Sequence, residues 1–154
     1  MGTGILERIL GEHPFPRDMK EDHLRAIAGS ATVVRFEAGD EIFREGDPAH
    51  RFYLIRTGTV ALQQVSYRIE PFTVLSLNQG TSLGWSWLFP PYRWKFSART
   101  IHPPRAFAMD SRCLRDKAEN DHDLGYELLK RFSRVFETRL ETMRLQLADV
   151  SRDR

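Results

Sequence analysis

The stretch of the chain from Pro71 to Met109 combines cationic and aromatic side chains but carries no Asp or Glu. It contains Arg93, Lys95 and two further arginines, together with all three tryptophans of the chain. Guanidinium and ammonium groups bind carboxylates and phosphates, and indole rings line apolar ligand pockets. The segment therefore predicts either a pocket for an anionic or aromatic small molecule, or an aromatic cluster that fills the interior of the fold.

The composition of the whole chain limits the kind of protein that can present this segment. It has 154 residues, of which 41% are hydrophobic and 29% charged, as is typical of one globular domain. Its 23 basic and 21 acidic residues give a net charge of +2, too small to indicate a nucleic-acid partner. The single cysteine, Cys113, excludes an internal disulfide. We therefore expect one cytoplasmic domain, 1–154, with no membrane segment.

The spacing of apolar residues divides the chain into three regions. Helical signals occupy 1–30, strand-like alternation occupies 31–110, and a short helix followed by a long one occupies 111–154. Within the second region, Phe52 to Ile55 is a continuous apolar strand, and Thr57 to Thr59 predicts a turn. Short strands at regular spacing predict a mainly β fold with flanking helices, a β-roll or jelly roll that ends in a long C-terminal helix.

Polar residues mark where the helices are expected to begin. Asp18, with Glu21 three residues later, predicts a capping box for the second helix. Ser111 is the candidate cap of the short C-terminal helix, and Asn120 or Asp121 that of the long one.

The long helix carries an apolar stripe at steps of one, three or four residues. About thirty residues at 1.5 Å each make a rod of roughly 45 Å, which is longer than a small β-roll can cover. We therefore expect a homodimer through this helix. The predicted dimer residues are Leu128, Phe132, Val135, Phe136, Leu140, Met143 and Leu147.

The segment from Ile42 to Gly58 carries a more specific pattern. In order along the chain, the pattern has a pair of apolar residues, a glycine followed by an acid, a small residue, a run of four apolar residues and a second glycine. In this pattern the chain resembles the cyclic nucleotide-binding domain of the Crp/Fnr family, with Phe43 as the one deviation. The resemblance extends from about Met19 to Asp149. It implies a β-roll, a long helix that pairs two copies, and a cyclic nucleotide as a candidate ligand.

The resemblance also implies a phosphate-binding cassette that begins at Leu83–Gly84. In the family, a Glu after this Gly binds the ribose 2′-hydroxyl, and a later Arg neutralises the cyclic phosphate. Here Trp85 replaces the Glu, and Trp94 falls where the Arg is expected. Arg93 and Lys95 flank that position. Loss of an ionic hydrogen bond costs about 1.5–3 kcal/mol, and indoles fill volume that a nucleotide needs, so the sequence argues against the usual cyclic AMP pose.

Three interpretations of the cassette remain open. Its aromatic residues could fill the fold, could line a pocket with Arg93 and Lys95, or could shift to admit a cyclic nucleotide. We expect no obligatory cofactor, and either a cyclic nucleotide or another small anionic or aromatic molecule as the candidate ligand. The candidate ligand-binding residues are Gly84, Trp85, Ser86, Trp87, Arg93, Trp94, Lys95 and Ser97.

The residues give little support to an enzyme. A cupin-type metal site needs His-x-His with a carboxylate downstream, and the five histidines are scattered. The segment Asp121–Asp123 lies at a predicted helix start, where acids stabilise the helix dipole. We expect no catalytic and no metal-binding residues. The basic Lys130–Arg131 pair with Arg134 is interpreted as the solvated face of the long helix.

We therefore expect a non-enzymatic module that senses a small ligand or regulates a partner. The alternative is a ligand-free interaction subunit with tryptophans in its cassette. In the Crp/Fnr family a helix-turn-helix follows the long helix, whereas this sequence has none, so we expect no direct binding to DNA.

Overall fold

The computed structural model describes residues 2–66 and 69–152. They form two compact units, the first ending at Lys117 and the second starting at Ala118. The predicted single domain from 1 to 154 stays a prediction. The elements of the first unit begin with two helices, followed by six strands, a 3-10 turn and most of a third helix. Their bounds are α1 Gly2–Gly11, α2 Glu21–Ala28, β1 Ala31–Arg35, β2 Glu41–Phe43, β3 Arg51–Ser66, β4 Ile69–Leu77, β5 Ser82–Leu83, the 3-10 turn Ser86–Leu88, β6 Ser97–Asp110 and α3 Ser111–Asn120.

All strand pairings among the described residues are antiparallel and belong to one sheet. The sheet order is β1-β6-β3-β4, with β2 also on β6 and β5 also on β3. The long strands β3 and β6 form its centre, and Leu54 lies opposite Phe107. This confirms the predicted class, a mainly β roll with flanking helices and a long C-terminal helix.

The core of the first unit lies along β3 and β6. All four residues from Phe52 to Ile55 are buried, as are the four from Ala106 to Met109. The continuous apolar run was therefore correctly interpreted as a strand, and burial of four consecutive residues shows that both of its faces are covered.

The predicted turn at Thr57–Thr59 is wrong, because β3 continues through it. Gly58 adopts a φ of +91°, and the register between β3 and β6 shifts on both sides of it. Pro103 and Pro104 occupy the facing part of β6 and have no N–H to donate. A Cβ on Gly58 would lie 2.6 Å from the Cα of Pro104. The glycine thus forms a bulge within one long strand instead of separating two strands.

The predicted capping box at Asp18 and Glu21 is also wrong. The residue before α2 is Lys20, which makes no side-chain capping bond, and Asp18 has a φ of +65°. At α3, Asp110 Oδ1 accepts a hydrogen bond from the Cys113 N–H at 3.0 Å. Asp110, and not Ser111, therefore caps the short helix.

The second unit consists of the end of α3 and the helix α4, His122–Arg152. Asp121 Oδ1 accepts hydrogen bonds from the N–H groups of Asp123 and Leu124, at 3.1 and 3.3 Å, which confirms the predicted cap. None of the helices within the described ranges combines the length and the apolar character needed to cross a bilayer.

The predicted dimer residues of α4 differ in their exposure. Leu128 and Phe132 are buried in a single copy of the chain, whereas Leu140 and Leu147 are 71% and 67% exposed. The remaining residues of the set, Val135, Phe136 and Met143, are half-buried.

Candidate functional site

The cassette begins where β5 ends. β5 pairs with β3, with Leu83 opposite Tyr53, and this pairing fixes the start of the loop on the central strand. Gly84 follows with a φ of +97°, a conformation that is open to glycine and costly for other residues. The three-residue turn Ser86–Leu88 then takes the chain away from the sheet.

Trp94 packs directly against Gly84. A Cβ on Gly84 would overlap the indole ring and lie 2.6 Å from its Cη2 atom. On the β2 side the indole stacks on Phe43, with ring centroids 3.8 Å apart and planes within 10°. Trp94 is 5% exposed. The glycine, the indole and the phenyl ring therefore form one closed stack in the middle of the cassette, and Phe43 is the residue that deviates from the family pattern.

Trp87 closes the other part of the cassette. Its indole is fully buried and stacks on Phe52 of β3, with centroids 4.6 Å apart and planes within 7°. Its carbonyl oxygen accepts a hydrogen bond of 2.7 Å from Arg115 Nη1. The same guanidinium lies 4.1 Å from the centre of the Tyr92 ring. The planar guanidinium of Arg115 thus contacts the cassette at both Trp87 and Tyr92.

The cavity left beside the Trp94 stack is small. Its volume is about 10 Å³, roughly the space of a single water molecule. Five of the predicted ligand-binding residues line it together with two hydrophobic residues from the strands and a further aromatic. The lining residues are Phe43, Leu62, Gly84, Trp85, Ser86, Trp94, Lys95 and Phe96.

The other three predicted ligand-binding residues do not line this cavity. Trp87 is in its own stack, and Arg93 Nη1 donates a 2.9 Å hydrogen bond to the carbonyl of Gly46. Ser97 Oγ accepts the N–H of Glu45 at 3.0 Å. Backbone hydrogen bonds also join the two segments. The Gly46 N–H donates to the Trp94 carbonyl oxygen at 2.8 Å, and the Trp94 N–H donates to the Asp47 carbonyl oxygen at 3.0 Å. Arg93 and Ser97 therefore hold the cassette to the turn that follows β2.

Sequence reasoning missed Arg115, which lies 28 residues from Trp87 on α3. No local motif marks it, because its role depends on how α3 packs within the first unit. Tyr92, which Arg115 contacts, was also not among the predicted residues. It has a φ of +57°, and its carbonyl accepts the N–H of Ala49 at 2.7 Å.

The remaining sequence expectations can be compared with contacts. Arg99, a cation on β6 outside the cassette, forms an ion pair with Glu41 at 3.5 Å. Ser30 Oγ donates to the half-buried Cys113 Sγ at 3.1 Å. In residues 2–66 and 69–152, no group of three or more His, Cys, Asp and Glu side chains is placed to hold a metal ion.

The family model for the cyclic nucleotide-binding domain matches residues 33–121, which include the roll, the cassette and α3. The chain belongs to the cyclic nucleotide-binding domain family. This confirms the resemblance read from the Ile42–Gly58 pattern. Members of this family are regulatory, ligand-binding domains.

A curated relative is the CRP-like cAMP-activated global transcriptional regulator of Mycobacterium tuberculosis. It is 26% identical over 145 residues, which cover 94% of this chain and 63% of the relative. The chain thus spans less than two thirds of that protein's length.

Two solved structures are similar. One, from Geobacter metallireducens GS-15, is described as a candidate cyclic nucleotide-binding protein; it has a TM-score of 0.77 and 28% identity, covering 91% of this chain and 98% of that one. The other is a cyclic nucleotide-binding domain from Methylobacillus flagellatus KT, with a TM-score of 0.81 and 17% identity. It covers 96% of this chain and 85% of its own. At that identity the second likeness concerns the fold alone.

Proposed function

We propose that this member of the cyclic nucleotide-binding family is a regulatory module whose cassette is closed by its own tryptophans. The observation that carries the proposal is the stack of Trp94 between Gly84 and Phe43. It leaves a cavity of about 10 Å³, whereas pockets for small molecules are roughly 300–1,000 Å³. A cyclic nucleotide in the usual pose therefore has no room.

Entry of a nucleotide requires Trp94 to leave this stack. That movement exposes a buried indole and a phenyl face, and truncations of comparable aromatic residues cost about 3–5 kcal/mol. No carboxylate offsets the cost, because Trp85 occupies the position of the ribose-binding Glu. Arg93 is held to the Gly46 carbonyl at 2.9 Å, and Lys95 is the cation left at the cavity.

Calorimetric titration with cyclic AMP and cyclic GMP tests the proposal. We expect no heat of binding at up to 1 mM nucleotide, about the concentration at which a ligand with only −4 kcal/mol of binding free energy half-saturates its site. A micromolar Kd for either nucleotide would overturn the proposal. The Trp85→Glu/Trp94→Ala double variant serves as the matched comparison, because it restores the carboxylate and removes the stacked ring; it should bind more tightly than the wild type.

The module is proposed to be non-enzymatic, to reside in the cytoplasm and to act without direct contact with DNA. The single cysteine supports a reducing compartment. Two cations of the basic run on α4 are already paired, since Lys130 and Arg131 contact Glu127 at 3.3 and 2.8 Å. These ion pairs reduce the positive charge that this face could offer to phosphates.

We further propose that two copies of the chain associate through α4. The support is the exposure of Leu140 and Leu147, which lie seven residues apart and therefore on one face of the helix. Leu128 and Phe132, which were predicted for the same interface, are already buried in one copy and are not needed for it.

A pair of matched variants tests the dimer. Leu145 is 52% exposed, but it lies about 140° around the helix from Leu140. Light scattering at tens of micromolar should give a dimeric mass for the wild type and for Leu145→Glu, and a monomeric mass for Leu140→Glu. A monomeric wild type would overturn the proposal.

A further inference from the structure

A second cavity lies in the first unit, outside the cassette. It has a volume of about 290 Å³ and lies between the C-terminal part of α1, the α1–α2 connection, the β3 strand and the loop after β4. Ile9, Pro14 and Phe107 supply its apolar surface, and Glu12, Arg56 and Gln79 supply polar groups. A volume near the lower bound for small-molecule pockets, with a few polar groups among apolar ones, is what a small ligand requires.

The wall formed by His13 is fixed and neutral. Its Nε2 lies 2.9 Å from the carbonyl oxygen of Ile55, and its Nδ1 accepts the N–H of Phe15 at 3.1 Å. Because Nδ1 is an acceptor, the proton is on Nε2. Burial, above all, lowers the pKa of His13, and the charges of Arg17 and Arg56 lower it further. This wall therefore supplies shape to the cavity and no charge.

The carbonyl of Ile55 also holds the neighbouring wall, which the loop between β4 and β5 forms. It accepts the N–H of Gly80 at 2.9 Å, and the Ile55 N–H bonds to Thr81 O at the same distance. The loop between β4 and β5 is thereby tied to β3 beside His13. The cavity thus lies between segments held by hydrogen bonds, and its shape is set before a ligand arrives.

Arg56 is the cation of this cavity. Its guanidinium lies 5.1 Å from the centre of the Phe107 ring, a contact that leaves its N–H edge available. Among the residues that the structure describes, it forms no ion pair with Glu12 or with any other carboxylate. A planar guanidinium donates two parallel hydrogen bonds to a carboxylate.

We propose that this cavity is a binding site for a small monocarboxylate with a ring or short apolar body. The carboxylate lies against Arg56, and the apolar body lies against Ile9 and Pro14. Glu12, at the exposed side of the cavity, disfavours ligands with a second negative charge. This site is separate from the cassette, and it does not depend on whether the cassette is closed.

Backbone amide NMR shifts on titration with benzoate test the site in the full chain, with benzamide as the neutral control of the same shape. Benzoate should shift the amides of residues 12, 13, 15, 56 and 79–81, with a Kd in the range of about 1–10 mM expected for so small a molecule. Arg56→Gln should weaken binding about tenfold or more, and Glu12→Gln should strengthen it. Arg93→Gln, which removes a cassette arginine, should leave it unchanged.

Several results would overturn the site. Benzoate could cause no shifts, benzamide could cause equal shifts, or the shifts could lie at 84–97 and disappear in Arg93→Gln. If Arg56→Gln does not fold, as judged by circular dichroism, Glu12→Gln decides alone, and unchanged benzoate affinity in that variant counts against the proposal. Neither outcome depends on the nucleotide titration, so the two proposals fail separately.

Discussion

The cassette cavity and the cavity beside His13 differ in a way that composition alone does not suggest. The cassette, where the family binds its ligand, has about 10 Å³ left beside Trp94. The cavity beside His13, which no family pattern marks, has about 290 Å³. Each has an arginine nearby, but Arg93 donates a hydrogen bond to the Gly46 carbonyl, whereas the Arg56 guanidinium lies over the face of Phe107.

This difference shows that membership of the family does not determine which cavities of the fold are large enough for a ligand. The glycines and apolar strands that identify the family build the roll and its turns, and a fold does not by itself determine what a site binds. Space for a ligand depends on a few side chains in one loop. In this chain indole side chains occupy the loop after Gly84 and leave a cavity of about 10 Å³, whereas another crevice in the first unit stays open.

The largest expected effect comes from Trp94→Ala, which should enlarge the cassette cavity and so reduce the difference in volume between the two cavities. Removing an indole that is 5% exposed and stacked on Phe43 should lower the free energy of unfolding by about 3–5 kcal/mol in urea denaturation. Added indole should recover part of the loss by filling the new cavity. Trp85→Ala is the control, because Trp85 is only half-buried. Equal losses in both variants would contradict the central role of Trp94.

Gly84→Ala tests the same stack from the backbone side. The new Cβ would need a φ of +97° and would overlap the Trp94 ring, so we expect a loss of about 2–4 kcal/mol. Gly39→Ala is the matched control, since Gly39 has a φ of +83° and no atom lies within 4 Å of the place that its new methyl group would take. It should lose only about 1–2 kcal/mol.

A double-mutant cycle separates strain from overlap at Gly84. In the Trp94→Ala background the ring is absent, so Gly84→Ala should cost no more than the Gly39→Ala control. Additive losses in the double variant would show that the indole and the glycine do not act together.

Arg115→Ala should loosen the cassette by a smaller amount. It removes a 2.7 Å hydrogen bond to Trp87 O and a cation contact of 4.1 Å to Tyr92, together worth about 1–3 kcal/mol. Arg112→Ala, an exposed change on the same helix, should stay within about 0.5 kcal/mol of the wild type. Arg115→Lys should be intermediate, because it keeps the charge but loses the planar fork.

The sequence predicted the roll well because its signals are local. The apolar run Phe52–Ile55 indicates a buried strand by itself, and Asp121 caps α4 with its own neighbours. The Thr57–Thr59 prediction failed because a glycine between polar residues is typical of both turns and bulges. The choice at Gly58 is made by Pro103 and Pro104, which face it from a distant strand.

The candidate site was only partly predictable for the same reason. The family pattern located Gly84 and drew attention to the tryptophans, but it did not show that Trp94 would stack on Phe43. Arg115 and the His13 cavity depend on how helices pack onto the roll, and no spacing within the chain encodes that packing.

The smallest expected effect concerns the open cavity and its pH dependence. Burial lowers the folded-state pKa of His13 below 6.5, so the unfolded chain takes up a proton that the folded chain resists. The contribution of His13 is therefore fully present above pH 6.5 and declines as the pH falls from there towards the folded-state pKa. Urea denaturation between pH 7.5 and 5.5 should show this decline, and an NMR titration should assign it to the His13 ring. His122→Gln, an exposed change, should leave the profile unaltered. A His13 resonance that titrates above pH 6.5 would instead mean that the wall of this cavity is charged and that the carboxylate has a second cation to bind.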